Sequence, residues 1–275
     1  NDEMSMDKIN NLKNDIRSGT QILAKCGIPI QGKKIMDVGC YLGLQCFGAM
    51  ELGAGEAVGI DIPEYYVNQS TNNESVDASK VLENKRDKIR KLHPHLDQSK
   101  ISFKDVSVFE MDYENEFDII FSWETFEHIM NPKEALARIY KALKPGGIVF
   151  SQYNPFFCLS GGHSMCTLDF PFAHTLLTDE DFKKYVETIV PENAPPKYSE
   201  LSYNFFTKNL NRMTQNDLTK YINDVGFELV NFMSMPDLSL LNVIDDSTLD
   251  SAKTIHPTLT LNDLLCSSVY FIGRK

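Results

Sequence analysis

The sequence predicts an open α/β sheet that is doubly wound. The prediction rests on the alternation of strands and helices, and on a length and composition typical of a globular domain. Short β-branched or apolar runs alternate with helical segments over residues 33–152. Strand–helix alternation of this kind implies right-handed crossovers and a parallel sheet covered by helices on both faces. The 275 residues, with 42% hydrophobic and 24% charged side chains, suffice for one large globular domain or two small ones.

Five strands are predicted in the first half of the chain, with three helices between them. The strands are Lys34–Val38, Ala57–Asp61, Ile101–Asp105, Phe117–Ser122 and Ile148–Gln152, and the helices are Leu44–Leu52, Ser75–Leu92 and Pro132–Leu143. Residues 80–91 are rich in Lys and Arg, which we interpret as a solvated helix face. Before the first strand, Asp7–Leu23 carries apolar residues near a helical period and is predicted to be a packing helix within a lid of residues 1–32.

The strand–helix rhythm stops after residue 152. Residues 153–213 hold five prolines and eleven aromatic side chains, which favours a folded insertion, a cap, over a linker. Thr214 and Asp217 then predict a capping box that opens a helix ending at Gly226. Two further strands, Phe227–Met233 and Ser267–Ile272, flank an irregular stretch, 236–266. The predicted organisation is a lid (1–32), a sheet domain (33–152 and 214–275) and the cap insertion (153–213).

The net charge of −11 argues against partners that need a positive surface, such as nucleic acids or anionic membranes. No apolar run approaches the 18 or so residues that span a bilayer, and no signal peptide is visible. Six cysteines without a C-x-x-C pair fit free thiols in a reducing cytoplasm. We therefore expect a cytoplasmic protein with a small-molecule partner, and a homodimer is left open.

The turn after the first predicted strand carries the strongest chemical signal. Gly39 and Gly43 let a ligand lie against bare backbone, and Asp61, which ends the second strand, is placed to accept hydrogen bonds from a ribose diol. A dinucleotide-binding loop has a glycine at the position of Tyr41. The negative charge of Asp37 repels phosphate but suits an ammonium group. These residues favour a cationic amino-acid nucleoside over NAD.

In this pattern the sequence resembles the class I S-adenosylmethionine-dependent methyltransferases. The resemblance rests on the Asp37–Gly43 loop, on Asp61 and Asp105 at strand ends, on the stretch 116–129, and on the Leu143–Gly147 turn. It implies a Rossmann-like seven-stranded sheet of order 3-2-1-4-5-7-6 with strand 7 antiparallel. It also implies that S-adenosylmethionine binds, and its product S-adenosylhomocysteine leaves, at Asp37, Gly39, Cys40, Tyr41, Gly43, Asp61, Ile62, Asp105, Val106, Ser122 and Trp123. Tyr41 departs from the family, in which many members have glycine.

The insertion contains Gly161-Gly162-His163 and Pro171-Phe172-Ala173-His174, which resembles a subgroup with members in glycan and nucleotide-sugar biosynthesis. Methylation of a hydroxyl requires removal of a proton, and histidine can accept one near neutral pH. We expect His163 first and His174 second to be the catalytic base, with Glu124 as the competitor. No metal is expected. A divalent metal on these histidines stays as a rival, and the spacing of Cys158, His163, Cys166 and His174 disfavours a zinc site.

These residues together predict a methyltransferase that acts on a small polar acceptor. The expected reaction is O-methylation of a sugar or nucleotide-sugar in carbohydrate biosynthesis. The alternatives are a non-catalytic cofactor-binding partner subunit, or a methyltransferase acting on a nitrogen or on a different small metabolite.

Overall fold

The computed structural model of the chain describes residues 19–63, 77–163 and 168–275. These residues contain a seven-stranded mixed α/β sheet of order β3-β2-β1-β4-β5-β7-β6, with β7 antiparallel. The predicted fold class and strand order are confirmed. Residues 7–18 of the predicted N-terminal helix, and Cys166, lie outside the described residues.

The first five strands fall where the strand–helix alternation predicts them. They are β1 (Lys34–Val38), β2 (Glu56–Asp61), β3 (Ile101–Asp105), β4 (Phe117–Trp123) and β5 (Leu143–Tyr153). The helices that precede and connect them are α1 (residues 19–25), α2 (Leu44–Glu51), α3 (Ala78–Leu92) and α4 (Pro132–Ala142). β5 begins at Leu143, five residues before the predicted start, because it takes in the residues predicted as a turn.

The rest of the chain is more helical than predicted. It forms α5 (Ala173–Leu176), α6 (Asp179–Thr188), α7 (Tyr198–Lys208), α8 (Gln215–Val225), β6 (Glu228–Pro236), α9 (Asp246–Ile255), α10 (Leu261–Leu265) and β7 (Cys266–Arg274). The predicted capping box of Thr214 and Asp217 opens α8, and Gly226 closes it with φ 103°. The prediction of an irregular 236–266 was wrong, since it holds α9 and α10. These short helices are started by polar caps, and α9 buries only Ala252, so no long apolar period marks them.

Strand register brings the predicted ligand-binding carboxylates to one sheet edge. β1 runs parallel to β2 and β4, and Asp37 is paired with Gly59 on one side and Phe121 on the other. β2 runs parallel to β3, and Asp61 is paired directly with Asp105. The carboxyl ends of β1, β2 and β3 therefore meet at the edge where open α/β sheets place ligands.

The chain divides into two compact units. The first, hereafter the donor unit, comprises Asn1–Trp123, Ala137–Ser151 and Gly273–Lys275. Its core is made by apolar strand residues such as Ile35, Ile119 and Phe121, which are fully buried. Strands buried on both faces read as continuous apolar runs, as these do.

The second, hereafter the cap unit, comprises Glu124–Leu136 and Gln152–Ile272. One buried cluster joins the insertion to the later segment; its members include Phe156, Phe172, Phe182, Phe205, Phe206, Ile244, Ala252 and Leu264. The insertion is therefore part of a core and not a detachable loop. Across the described ranges no helix is both long and apolar enough to cross a bilayer. The five described cysteines are all free thiols.

Candidate functional site

The turn between β1 and α2 is built from left-handed backbone. Gly39 has φ 80°, Tyr41 has φ 43° and Gly43 has φ 75°. A residue with a Cβ rarely adopts such a φ, so Tyr41 is held there by its surroundings, as strained residues at functional sites usually are. The amides of Gly39 and Cys40 both donate to the carbonyl oxygen of Ile60, at 2.9 and 3.1 Å, which ties the turn to β2.

Gly43 is required by a close approach. A Cβ at this position would lie 2.2 Å from Cε1 of Phe103, a ring on β3. With its positive φ, Gly43 also forms the N-cap of α2. Two independent structural features therefore require glycine at position 43: the close approach of Phe103 and the positive φ.

Asp37 is a buried carboxylate without a counter-charge among the described residues. It is 1% exposed, and neither side-chain oxygen has a hydrogen-bond partner there. Burial, with a smaller contribution from Asp61, raises the pKa of Asp37 to about 8. Burying a carboxylate is costly unless a partner compensates it, so this group is prepared for a cationic ligand.

Asp61 is oriented by the backbone around it. Its Oδ2 accepts from the amide of Tyr41 at 2.5 Å and its Oδ1 accepts from the amide of Ile62 at 2.7 Å. The side chain of Ile62 itself is 46% exposed. A fixed carboxylate beside an exposed apolar side chain suits a ribose diol with a flat base next to it.

Arg86 of α3 organises this turn, and sequence reasoning missed it. The basic run that contains Arg86 predicts a solvated helix face, but Arg86 is 2% exposed. Its Nε and Nη2 donate to the carbonyl oxygen of Tyr41 at 2.9 and 2.8 Å, and its guanidinium lies 4.5 Å from the ring centroid of Phe103. The available signal was position, because Leu82, Arg86 and Ile89 are spaced to share the buried face of α3.

The remaining predicted donor-site residues are Asp105, Val106 and Cys40 and, at the end of β4, Ser122 and Trp123. The side chain of Asp105 is 37% exposed and pairs with Arg86 at 3.6 Å, while Val106 beside it is half-buried. Cys40 is buried, with Sγ 3.7 Å from Nη2 of Arg86. Ser122 and Trp123 are buried in the donor unit, and Trp123 packs on Phe150 with ring centroids 5.3 Å apart. The contact of these residues with a cofactor stays a prediction.

These residues fit S-adenosylmethionine. The unpartnered carboxylate of Asp37 suits an ammonium group, Asp61 suits the ribose, and the Gly39–Gly43 turn admits a ligand against its backbone. A phosphate-bearing dinucleotide fits poorly, because Asp37 offers a phosphate no positive charge and its ionised form would repel one. The donor set thus agrees with the amino-acid nucleoside predicted from the sequence.

The candidate bases lie in the cap unit, and the structure separates them. His174 is 3% exposed, its Nε2 donates to the carbonyl oxygen of Phe156 at 2.7 Å, and burial lowers its pKa to about 4. Such a side chain cannot reach an acceptor, so we drop His174 as a base. His163 is more accessible, at 18% exposed, and burial together with His128 lowers its pKa to about 4. Its ring is therefore neutral at physiological pH.

Glu124 follows β4 on strained backbone. Its φ is 47°, and its amide donates to the carbonyl oxygen of Gln152 at 3.0 Å. The side chain is exposed. Strained backbone of this kind clusters at functional sites, where the surrounding structure enforces it. Glu124 therefore stays a candidate for contact with an acceptor.

Glu127 is the functional candidate that sequence reasoning did not identify. It is 1% exposed, and burial raises its pKa to about 8. His128 follows it, and the turn is clamped by Asn211, whose Nδ2 donates to the carbonyl oxygens of Phe126 and Ile129 at 2.7 and 2.9 Å. Together with His163 these side chains form a second polar cluster, hereafter the Glu–His cluster (Glu127, His128 and His163).

Comparison with known proteins agrees with this geometry. The family model described as "Methyltransferase domain" matches residues 11–231. The mitochondrial ubiquinone biosynthesis O-methyltransferase of Dictyostelium discoideum is 26% identical over 126 residues, and the ubiquinone biosynthesis O-methyltransferase of Dechloromonas aromatica is 30% identical over 125 residues. Each alignment covers 45% of this chain, and the two cover 36% and 45% of the respective relatives. The chain thus matches less than half the length of these relatives.

Solved structures share the fold at low identity. An S-adenosylmethionine-dependent methyltransferase from Mesorhizobium loti gives a TM-score of 0.53 at 12% identity, covering 94% of this chain and 98% of that one. The cyclase SpnF gives a TM-score of 0.53 at 13% identity, covering 100% and 85%. The second neighbour shows that the fold by itself does not fix the reaction. The family match, the strand order and the donor set agree, and the chain belongs to the methyltransferase-domain family, with the class I fold and the S-adenosylmethionine cofactor of that family.

Proposed function

We propose that the protein transfers a methyl group from S-adenosylmethionine to a hydroxyl of a small organic molecule. The observation that carries the donor half is Asp37, whose two buried oxygens lack a partner among the described residues. When bound, S-adenosylmethionine supplies a methyl group already activated as a sulfonium. The protein then has to hold donor and acceptor in line and to help remove one proton from the acceptor.

The chain's own residues divide this work. Asp37 would hold the ammonium group, Asp61 the ribose, and the turn fixed by Arg86 the methionine part. Glu124 and His163 are the polar groups proposed to orient the acceptor and take up its proton. The aromatic cluster of the cap unit supports a small acceptor, since it places one flat apolar ring beside His163: the ring centroids of Phe205 and His163 lie 5.1 Å apart.

For the acceptor, we keep a sugar or nucleotide-sugar hydroxyl as the first candidate, on the resemblance of the Gly-Gly-His insertion. A second candidate is favoured by the relatives, which are named for ubiquinone biosynthesis and are O-methyltransferases. That naming points to an oxygen acceptor outside carbohydrate metabolism.

A direct assay separates these candidates. The protein is incubated with methyl-labelled S-adenosylmethionine and one acceptor at a time: a nucleotide-sugar, a free sugar, an ortho-diphenol and a primary amine. Label transfer to a hydroxyl supports the proposal, and the acceptor that is used selects between the two candidates. Transfer to the amine alone, or donor binding without transfer to any of the three hydroxyl acceptors, would contradict the proposal.

We propose a cytoplasmic location as well. Free thiols at all five described cysteines support a reducing compartment. The Dictyostelium relative is named as mitochondrial, and imaging of the tagged full-length protein distinguishes the two.

A further inference from the structure

The Glu–His cluster brings three ligand atoms together inside the cap unit. Glu127, His128 and His163 each offer one such atom, and these atoms lie within 4.8 Å of one another. Glu127 and His128 come from the short helical turn Phe126–His128 that follows β4, and His163 comes from the Gly-Gly turn of the insertion. The three residues come from two segments of the chain that lie 35 residues apart. No short metal-ligand spacing in the sequence therefore predicts the cluster.

The first two side chains are oriented by backbone groups. The amide of Asn154 donates to Oε1 of Glu127 at 3.1 Å, while Oε2 is buried and has no partner among the described residues. Nδ1 of His128 donates to the carbonyl oxygen of Asn209 at 2.8 Å, which puts the lone pair on Nε2. A histidine that donates its other ring N–H to a carbonyl is the usual arrangement around a bound metal, because the hydrogen bond fixes the tautomer and the ring.

His163 is placed by the two glycines before it. Gly161 and Gly162 have φ 68° and 72°, and a Cβ on Gly162 would lie 2.8 Å from Cβ of Asn154. The glycine pair thus lets the backbone just before His163 approach Asn154, the residue whose amide donates to Glu127. Nε2 of His163 is buried without a partner within the described part of the chain, 3.9 Å from Oε1 of Glu127. Oε2 of Glu127 and Nε2 of His163 are thus two buried polar atoms of one cluster that have no hydrogen-bond partner among the described residues.

The donor types select the ion. Two imidazole nitrogens and one carboxylate suit Zn²⁺, Fe²⁺, Mn²⁺ or Co²⁺, whereas Mg²⁺ and Ca²⁺ prefer oxygen ligands. Three protein ligands also leave at least one coordination position open, as in catalytic and not structural zinc sites. We propose that Glu127, His128 and His163 form a binding site for a divalent transition-metal ion with an open position for an oxygen ligand. The identity of that ligand as the acceptor hydroxyl rests on the proposed function; the metal site does not.

A second trio serves as an internal control. Glu51, His93 and His95 also lie within the same limit. There, however, Nδ1 of His93 contacts Oε1 of Glu51 at 2.5 Å and the side chain of His95 is 64% exposed. That carboxylate is already engaged with an imidazole, which is why we place the metal at the Glu–His cluster.

The test uses tag-free full-length protein stripped with a chelator and dialysed. Zn²⁺ is titrated by calorimetry and Co²⁺ by visible absorption, both without donor or acceptor. We expect one ion per chain, and a d–d absorption band with bound Co²⁺. His163→Ala and Glu127→Gln should each weaken binding by at least about 100-fold, above the range of about 10- to 100-fold for outer-shell partners. His95→Ala should bind like the wild type.

Thermal unfolding guards against a folding artefact. Zn²⁺ should raise the midpoint of the wild type and of His95→Ala and leave that of His163→Ala unchanged, which requires only that each variant unfolds cooperatively. Wild-type protein that binds neither ion, or binding that survives in both His163→Ala and Glu127→Gln, overturns the metal site; loss of binding in His95→Ala would place the ion at the second trio instead. Because neither readout uses methyl transfer, failure of the proposed function would leave this result intact.

Discussion

The guanidinium of Arg86 donates two hydrogen bonds to the carbonyl oxygen of Tyr41, across 45 residues of sequence. Arg86 is buried, and the backbone of Tyr41 is left-handed. A fully buried guanidinium needs compensating acceptors, and the strained turn needs something to hold it. Each residue thus satisfies a requirement of the other, and the shape of the turn between β1 and α2 depends on a helix far away in the chain.

Arg86→Lys should weaken binding of S-adenosylhomocysteine by about tenfold, equivalent to about 1.4 kcal/mol. Lysine keeps the charge but cannot donate in parallel from two nitrogens, so the Tyr41 carbonyl is held less firmly. Calorimetry measures the affinity. The matched control is Arg90→Lys, one turn further along α3, since Arg90 pairs with Glu83 and Asp87 at the surface. Equal affinity in both variants would show that Arg86 does not shape the site.

Asp37→Asn should weaken donor binding and yet stabilise the ligand-free protein as the pH rises. The pKa of Asp37 is raised to about 8 in the folded protein against 3.8 for the ordinary group. The folded state therefore binds the extra proton between these values, and the contribution of Asp37 to stability is lost as the pH rises towards 8. Asparagine removes that loss. The midpoint of Asp37→Asn relative to wild type should increase from pH 5 to pH 8 by at least about 2–4 °C.

Asp118→Asn is the control of opposite sign. Desolvation opposes the shift, but hydrogen bonds from Lys144 and from the amide of Lys34 hold the pKa of Asp118 below its ordinary value. The ionised Asp118 stabilises the folded protein at every pH above the pKa that this group has in the unfolded chain. Asp118→Asn should therefore be less stable than wild type throughout pH 5 to 8. A pH-independent difference for Asp37→Asn would mean that its carboxylate is already compensated in the free protein.

Gly162→Ala should reduce turnover and Co²⁺ binding while leaving the affinity for S-adenosylhomocysteine unchanged. The new Cβ meets Asn154 and so displaces His163. Gly146→Ala has the same backbone problem, with φ 77°, but nothing lies within 4 Å of the added Cβ. Both variants should lose about 1–2 kcal/mol of stability from the left-handed backbone. Turnover that falls equally in both would attribute the effect to stability alone.

Local patterns in the sequence predicted the sheet and half of the site. The strand–helix alternation and the Asp37–Gly43 turn depend on residues that are close together in the sequence. The capping box of Thr214 likewise lies within four residues. By contrast, Arg86 was placed on a solvated face because charge runs usually lie there. Its burial depends on Phe103 and Tyr41, which local sequence does not show to be neighbours.

The Glu–His cluster escaped prediction for the same reason. Glu127 stands in the stretch 116–129 that carries part of the family resemblance, but no local pattern shows that its carboxylate is buried and held by the amide of Asn154. The position of His174 after a turn predicts a base at the surface, but the aromatic rings that bury it come from Phe156 and from Phe206 of α7, far from it in sequence. Tertiary packing, and not residue type, decided these three cases.

Calorimetric titration of S-adenosylhomocysteine and of NAD into wild type and Asp61→Ala is the most direct measurement of the central claim. The wild type should bind S-adenosylhomocysteine and not NAD. Asp61→Ala should bind S-adenosylhomocysteine with a loss of about 1.5–3 kcal/mol, which is the scale for charge-assisted hydrogen bonds, or roughly 10- to 150-fold. Tight binding of NAD together with no binding of S-adenosylhomocysteine would contradict the account.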